Sequence, residues 1–193
     1  LDENGQLQSV NIAGTDYSGK ALLDKLDEIA NKAYFMQPGA EKDYAADYMW
    51  YLWSGARSPL YGKDKMAFFE RYFLDDKKLH KENAYYHFSE QAEVCGRILE
   101  MFGLDPERGH IINGHVPVKI KNGEKPVKAG GKLFVIDGGI SKAYQKATGI
   151  AGYTLIYDSH SLNLAEHKPF VAGESEHTPE IHLVERLERR ANI

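Results

Sequence analysis

The spacing of the apolar residues changes once along this chain, and that change constrains the fold more than any other feature. Up to about residue 104 the apolar residues recur at helical spacing. From Asp105-Pro106 to about residue 170 they form short β-type runs bounded by Gly, Pro and Asp. A helical segment over 1–104 and a mainly β segment over 105–193 predict a mixed α/β (α+β) fold, interpreted as one domain.

Three clear helices and a short one around residues 65–73 are predicted in the first segment. The first begins after Ser18, a candidate N-cap, and ends at Pro38-Gly39. The second, over 41–53, closes with the run YMWYLW, which is apolar on every side and is therefore expected to be buried on more than one face. The third covers about 89–102, with Gly103 as its C-terminal stop.

Short strands are predicted elsewhere in the chain. Residues 6–12 lie between two turn signals and favour a strand. The runs GYTLIYD and LNLAEH are typical of a hairpin that turns at 158–161. The run IHLVERLE, over 181–188, fits a strand or a helix, and the pattern leaves both open.

Composition excludes several classes of function. The net charge of −4, from 24 basic and 28 acidic residues, gives no general attraction for nucleic acid. No apolar run approaches the ~20 residues that cross a bilayer. The only cysteine, Cys95, excludes an intrachain disulfide and fits a reducing cytoplasm. It lies on the apolar side of its predicted helix, which favours a core residue over a nucleophile. No GxSxG, P-loop or GxGxxG motif occurs.

The run INGHVPV, over 112–118, gives the sharpest local signal for a site. An apolar strand is expected to deliver His115 to its end, and Gly114 is expected to let the backbone turn so that the imidazole projects beyond the sheet. Strand ends are where sites are commonly assembled in α/β proteins. The spacing alone leaves two interpretations open, a metal or catalytic histidine and a histidine that hydrogen-bonds its own loop.

Two further places in the sequence could carry chemistry. The run GGKLFVIDGG puts Asp137 at a tight turn whose amides could hold an anion, although a cap for the turn and for the helix that follows is the preferred interpretation. The loop over 54–65 carries Arg57, Lys63 and Lys65 among aromatic residues. Fixed cations on an aromatic base suit a phosphate group, and a solvated basic loop is equally compatible with the sequence.

The chain contains two long runs, WYLWSGARSPLYGKDKMAFFERYF and FGLDPERGHIINGHVPVKIKNGEKPVKAGGKLFVIDGGISKAYQKATGIAGYTLIYDS. These runs resemble the class III fructose-1,6-bisphosphatases of bacteria, the Firmicutes type. The similarity covers nearly the whole chain to about residue 170. It rests on long strings that are particular to the family rather than on a short pattern.

That family belongs to the calcineurin-like metallophosphoesterases, so the resemblance implies a β-sandwich flanked by helices, with a helical insertion and a two-metal site at strand ends. Of the superfamily's ligand motifs, only the late GH motif occurs here, as Gly114-His115. The resemblance therefore implies that His115 is a metal ligand. Many members of the superfamily carry a second histidine two residues after the first. Pro117 occupies that position here, so this chain resembles the members that use a single late histidine. The motifs DxH, GDxxDRG and GNHE are expected upstream of Leu1, so the chain, which begins without Met, is expected to be the C-terminal part of the enzyme.

The implied activity is hydrolysis of the 1-phosphate of fructose 1,6-bisphosphate to fructose 6-phosphate, a step of gluconeogenesis, with Mn²⁺ as the cofactor at two metal sites. The small sugar bisphosphate is the expected partner, with Arg57 and Lys63 as candidate ligands of its 6-phosphate. Neither nucleic acid nor a membrane is expected to bind, and homo-oligomers stay open. Alternatives are a calcineurin-like phosphatase for phosphoproteins or dinucleotides, and a noncatalytic module. The isolated chain is expected to be inactive.

Overall fold

The computed structural model describes residues 1–55, 58–63, 69–75, 81, 83–149, 152–158, 161–167 and 182–188. They form helices and small sheets, which confirms a mixed α/β fold. The chain divides into two compact units. The first contains Leu1–Ser89 and Glu100–Leu104, and the second contains Glu90–Leu99 and the described residues from Asp105 onward. Within the described ranges, no helix has both the length and the apolar character needed to cross a bilayer.

The first unit opens with a hairpin of strands β1 (Val10–Ile12) and β2 (Thr15–Tyr17), which pair antiparallel. Both residues of the connecting turn have positive φ, +51° at Ala13 and +87° at Gly14. This conformation matches the twist of two antiparallel strands. The strand predicted over 6–12 is therefore correct only at its end. The second strand was missed because three residues with two polar side chains give no alternating signal.

Helices α1 (Gly19–Phe35) and α2 (Ala40–Ser54) complete the core of the first unit. Both were predicted, and Ser18 stands at the N-cap, where its carbonyl oxygen accepts a hydrogen bond from the amide of Leu22 at 3.3 Å. The Ser18 side chain makes no capping bond. Leucine and isoleucine at helical spacing on α1 face residues of β1 and α2, and this core consists of Ile12, Leu22, Leu26, Ile29, Ala45 and Leu52.

The prediction that the aromatic end of α2 is buried on more than one face is wrong. Leu52 is only 4% exposed, whereas Trp50 and Trp53 are 67% and 61% exposed. The two indole rings contact each other, with centroids 5.0 Å apart. The helix therefore has one buried face, and the tryptophans lie on the opposite one.

A 3-10 helix (Phe69–Tyr72) lies within the short helix predicted around residues 65–73, of which residues 65–68 lie outside the described residues. It is followed, among the described residues, by the helices α3 (Tyr85–Phe88) and α4 (Ala92–Met101). The latter confirms the third predicted helix, although it begins later than Ser89. Gly103 has a φ of +71°, as expected for a residue that ends a helix in the left-handed conformation.

The second unit contains two three-stranded sheets. In one, the central strand β5 pairs parallel with β3 and antiparallel with β4. In the other, the central strand β7 pairs antiparallel with β6 and β8. The strands are β3 (Ile111–Asn113), β4 (Val127–Lys128), β5 (Leu133–Val135), β6 (Tyr153–Tyr157), β7 (Ser161–Glu166) and β8 (His182–Glu188).

The β6–β7 hairpin confirms the predicted turn, at which the amide of Asp158 donates to the carbonyl oxygen of Ser161 at 3.0 Å. Residues 159 and 160 lie outside the described residues. The run over 181–188, for which strand and helix were both open, contains a strand, β8.

Strand β5 is buried on both faces and connects the layers of the second unit. Leu133 and Val135 pack with Cys95 of α4, while Phe134, between them in sequence, packs with Leu162 and Leu164 of β7. Successive side chains of a strand point to opposite faces, so one apolar run serves two cores. A short helix, α5 (Gln145–Thr148), follows β5.

Candidate functional site

His115 lies two residues beyond the end of β3, where the sequence placed it. Its φ is +74°, and the amide of Val116 donates to the carbonyl oxygen of Gly114 at 3.0 Å. A hydrogen bond across three residues with a positive central φ defines the rarer, strained form of the γ-turn. The imidazole is exposed and makes no hydrogen bond to any residue that the structure describes.

The residue that adopts the unusual conformation is the histidine and not the glycine before it. Gly114 has no positive φ, and a Cβ built on it meets no atom within 4 Å. The expectation that Gly114 provides the sharp turn is therefore wrong. Strained backbone of this kind persists where surrounding structure holds it, and it clusters at functional sites.

The end of β5 holds this turn from the neighbouring strand. Because β3 and β5 are parallel, with Asn113 opposite Val135, their carboxyl ends meet at one edge of the sheet. The amide of Ile136 donates to the carbonyl oxygen of Asn113 at 2.9 Å, and the amide of Val118 donates to that of Asp137 at 2.8 Å. The histidine turn is thus tied to β5 on both of its sides.

Asp137 caps its own turn. Its Oδ1 accepts a hydrogen bond from the amide of Gly139 at 2.8 Å, which agrees with the preferred interpretation of this residue. It does not cap the helix that follows, because α5 begins at Gln145 and Tyr144 is its N-cap. Sequence analysis found the Asp137 turn and the His115 turn separately, and the parallel strand pairing brings them together.

The donor set for a metal is incomplete within the described residues. They contain no group of three or more His, Cys, Asp or Glu side chains that could hold an ion. His115 fits the role of one ligand, since an exposed, unpartnered imidazole has a nitrogen lone pair available. Two other histidines have partners, with His110 Nδ1 3.0 Å from the carbonyl oxygen of Gly131 and His167 Nε2 2.6 Å from Thr154 Oγ1.

The basic loop is described only in part, and Arg57 and Lys65 lie outside the described residues. Lys63 is half-buried in the first unit and makes no ion pair with a residue that the structure describes. The loop is anchored at Ser58, which is 3% exposed and whose hydroxyl donates to the carbonyl oxygen of Leu52 at 2.7 Å. The amide of Asn83 donates to the carbonyl oxygen of Gly62 at 2.9 Å.

Cys95 is a core residue, as the sequence indicated. It is fully buried, and burial raises the pKa of its thiol. Both properties disfavour the thiolate that a nucleophile or a metal ligand requires.

The chain belongs to a family of phosphatases, described as Firmicute fructose-1,6-bisphosphatase, which matches residues 1–192. A class 3 fructose-1,6-bisphosphatase of Clostridium acetobutylicum is 56% identical over 177 residues, which are 90% of this chain and 27% of that protein. Its counterpart in Bacteroides fragilis strain YCH46 is 58% identical over 173 residues, 88% of this chain and 26% of that protein. The counterpart in Clostridium tetani is 57% identical over 173 residues, which are 88% of this chain and 26% of that protein.

These matches confirm the resemblance that the long sequence strings indicated. The chain spans about a quarter of the length of the curated relatives it matches. No solved structure matches it.

Proposed function

We propose that this chain is part of a metal-dependent enzyme that hydrolyses the 1-phosphate of fructose 1,6-bisphosphate. Its membership of the family over residues 1–192 carries the proposal, because relatives that bear this activity in their names share more than half of the matched residues. The strained turn at His115 adds independent support, since it presents an exposed imidazole, with no hydrogen bond to a described residue, at the common edge of two parallel strands.

We propose His115 as one ligand of a two-metal centre with Mn²⁺, whose remaining ligands come from outside the described residues. Mn²⁺ suits a mixed set of imidazole and carboxylate ligands. When bound, the two ions would supply positive charge that stabilises the phosphoryl-transfer transition state. The part of His115 is to hold one ion, and the part of the Asp137 turn is to hold the backbone from which the imidazole projects.

The calcineurin-like β-sandwich is the architecture that we propose for this site. Phe134 of the β3–β5–β4 sheet packs with Leu162 and Leu164 of the β6–β7–β8 sheet, which supports two layered sheets. Cys95 of α4 contacts the other face of β5 and supports a flanking helix.

We propose Arg57 and Lys63 as ligands of the 6-phosphate, because ions that act at the 1-phosphate cannot also hold the other end of the sugar. Lys63→Ala is expected to raise KM for the bisphosphate by roughly 10- to 150-fold, the worth of one charge-assisted contact. Hydrolysis of p-nitrophenyl phosphate should stay unchanged. The matched control is Lys125→Ala, which removes another lysine without an ion pair among the described residues. Equal effects on both substrates would rule out a role in 6-phosphate binding.

The proposed activity is tested with the full-length protein that carries this sequence. With Mn²⁺ it should hydrolyse fructose 1,6-bisphosphate far faster than a phosphopeptide or a dinucleotide polyphosphate.

His115→Ala should remove one metal per site and lower kcat far more than it raises KM, since a lost ligand weakens transition-state stabilisation. The separate 193-residue chain should show no turnover. Two metals and normal kcat in the variant would refute the role of His115, and preference for another substrate would refute the assigned activity.

A further inference from the structure

Gly139 lies where the Asp137 turn meets the His115 turn, and the structure leaves no room there for a side chain. Its φ is +66°, a conformation that glycine adopts readily. A Cβ built on Gly139 would lie 2.8 Å from Thr148 Oγ1, 3.2 Å from Thr148 Cγ2 and 3.3 Å from Pro117 Cβ. Any other residue at this position must therefore displace one of these neighbours.

Thr148 cannot give way easily. It is 2% exposed, and its β-branched side chain has few rotamers. Its hydroxyl group lies 3.0 Å from the carbonyl oxygen of Tyr144, to which it donates a hydrogen bond. The Thr148 side chain is thus held in place on one side of Gly139. A new side chain at Gly139 would therefore be displaced toward Pro117 on the other side.

Pro117 passes such a displacement to the histidine turn. It stands two residues after His115 and directly before Val118, whose amide is bonded to the carbonyl oxygen of Asp137. The ring of Pro117 fixes its own φ, so little of a displacement is absorbed there. The left-handed backbone of His115 is already strained and depends on these neighbours to persist.

We infer that Gly139, supported by Thr148, is a positioning residue for His115. By having no side chain, it lets the Asp137 turn pack against Pro117 and holds the imidazole in the orientation that the metal requires. The inference rests on the proposed role of His115 as a metal ligand. Residues that contact a metal ligand, and not the metal itself, change metal affinity by roughly 10- to 100-fold when they are substituted.

The experiment measures Mn²⁺ stoichiometry and affinity by electron paramagnetic resonance in the full-length protein, with thermal unfolding of the metal-free protein beside it. Gly139→Ala is expected to weaken Mn²⁺ binding at one site by roughly 10- to 100-fold. The matched control is Gly130→Ala. Gly130 has a φ of +63°, almost that of Gly139, but a Cβ there meets no atom within 4 Å. The control therefore carries the same backbone strain without the collision, and Mn²⁺ should bind it as it binds the unmodified protein.

A rescue variant separates the collision from a general loss of stability. Adding Thr148→Ala to Gly139→Ala removes both contacts with Thr148, so the new methyl group can move away from Pro117. Most of the Mn²⁺ affinity should return, even though the hydroxyl bond of Thr148 is lost. If Gly139→Ala does not fold, the double variant decides, because it has room for the new methyl group. It should fold and bind Mn²⁺ with nearly the affinity of the unmodified protein.

His115→Ala distinguishes failure of the inference from failure of the proposed function. If His115→Ala keeps both ions, the proposed ligand role is wrong and the inference falls with it. If His115→Ala loses an ion but Gly139→Ala binds Mn²⁺ normally, the inference alone is overturned. Equal losses in Gly139→Ala and Gly130→Ala would also overturn it, as would Mn²⁺ affinity that stays low in the double variant with Thr148→Ala.

Discussion

The left-handed conformation of His115 destabilises the chain at the residue that we propose as a ligand. For an L-residue a sparsely populated backbone conformation of this kind costs roughly 1–3 kcal/mol, whereas glycine adopts positive φ readily. We therefore expect metal-free His115→Gly to be more stable than metal-free His115→Ala by about 1 kcal/mol. Urea unfolding of the two variants measures the difference. Because both variants lack the imidazole, any role of the side chain cancels, and equal stability would show that the turn is relaxed in solution.

The positions of His115 and Asp137 after strand ends were predictable from the sequence, but their relation to each other was not. A strand that ends in a polar turn marks His115 and Asp137 separately. Their adjacency depends on the parallel pairing of β3 and β5, which the short apolar runs themselves do not encode. The general preference of glycine for tight turns also misled the assignment of the strained residue, since it pointed to Gly114.

Among the helices and strands, α2 is the one in which the spacing of apolar residues does not tell which side chains are buried. Leu52 is 4% exposed within the first core, whereas Trp53, the next residue, is 61% exposed. Leu52→Ala should lower the free energy of unfolding by about 2–5 kcal/mol, and Trp53→Ala by about 1 kcal/mol or less. Chemical denaturation of both variants makes the comparison. A loss at Trp53 as large as that at Leu52 would mean that the outer face of α2 is covered in the protein measured.

The elements with one clear apolar face were the ones that the sequence predicted well. Helix α1 alternates apolar and charged positions at helical spacing, so its buried side is defined before any partner is known. The YMWYLW end of α2 is apolar all round, and only packing with α1 and β1 selects Leu52 over Trp53. The run over 181–188 fits both periods, and pairing with β7 determines that β8 is a strand.

For the whole molecule, family membership and physical pattern gave different kinds of information. The long strings identified the family, while spacing and composition reached no further than a mixed α/β fold with a histidine turn. The physical reason is that the proposed two-metal centre would need several ligands, and the described residues provide one candidate, His115. Chemistry could therefore not be derived from local residues alone, and the assigned activity depends on the relatives.

Alkaline pH should lower the free energy of unfolding, because each unit contains a buried or half-buried group that titrates there. Burial raises the pKa of Cys95 above its ordinary value of 9.0, and the pKa values of Tyr48 and Tyr153 above 10.0. As the pH rises, the unfolded chain releases these protons first, so it binds fewer protons than the folded chain. The free energy of unfolding should therefore be constant with respect to these groups below about pH 8 and fall from about pH 9 upward.

Urea unfolding between about pH 8 and 10.5 tests this, and Cys95→Ala should show a shallower initial fall. Stability that stays level to about pH 10.5 would contradict the expected effect of burial, and an unchanged slope in Cys95→Ala would exclude the thiol as its source.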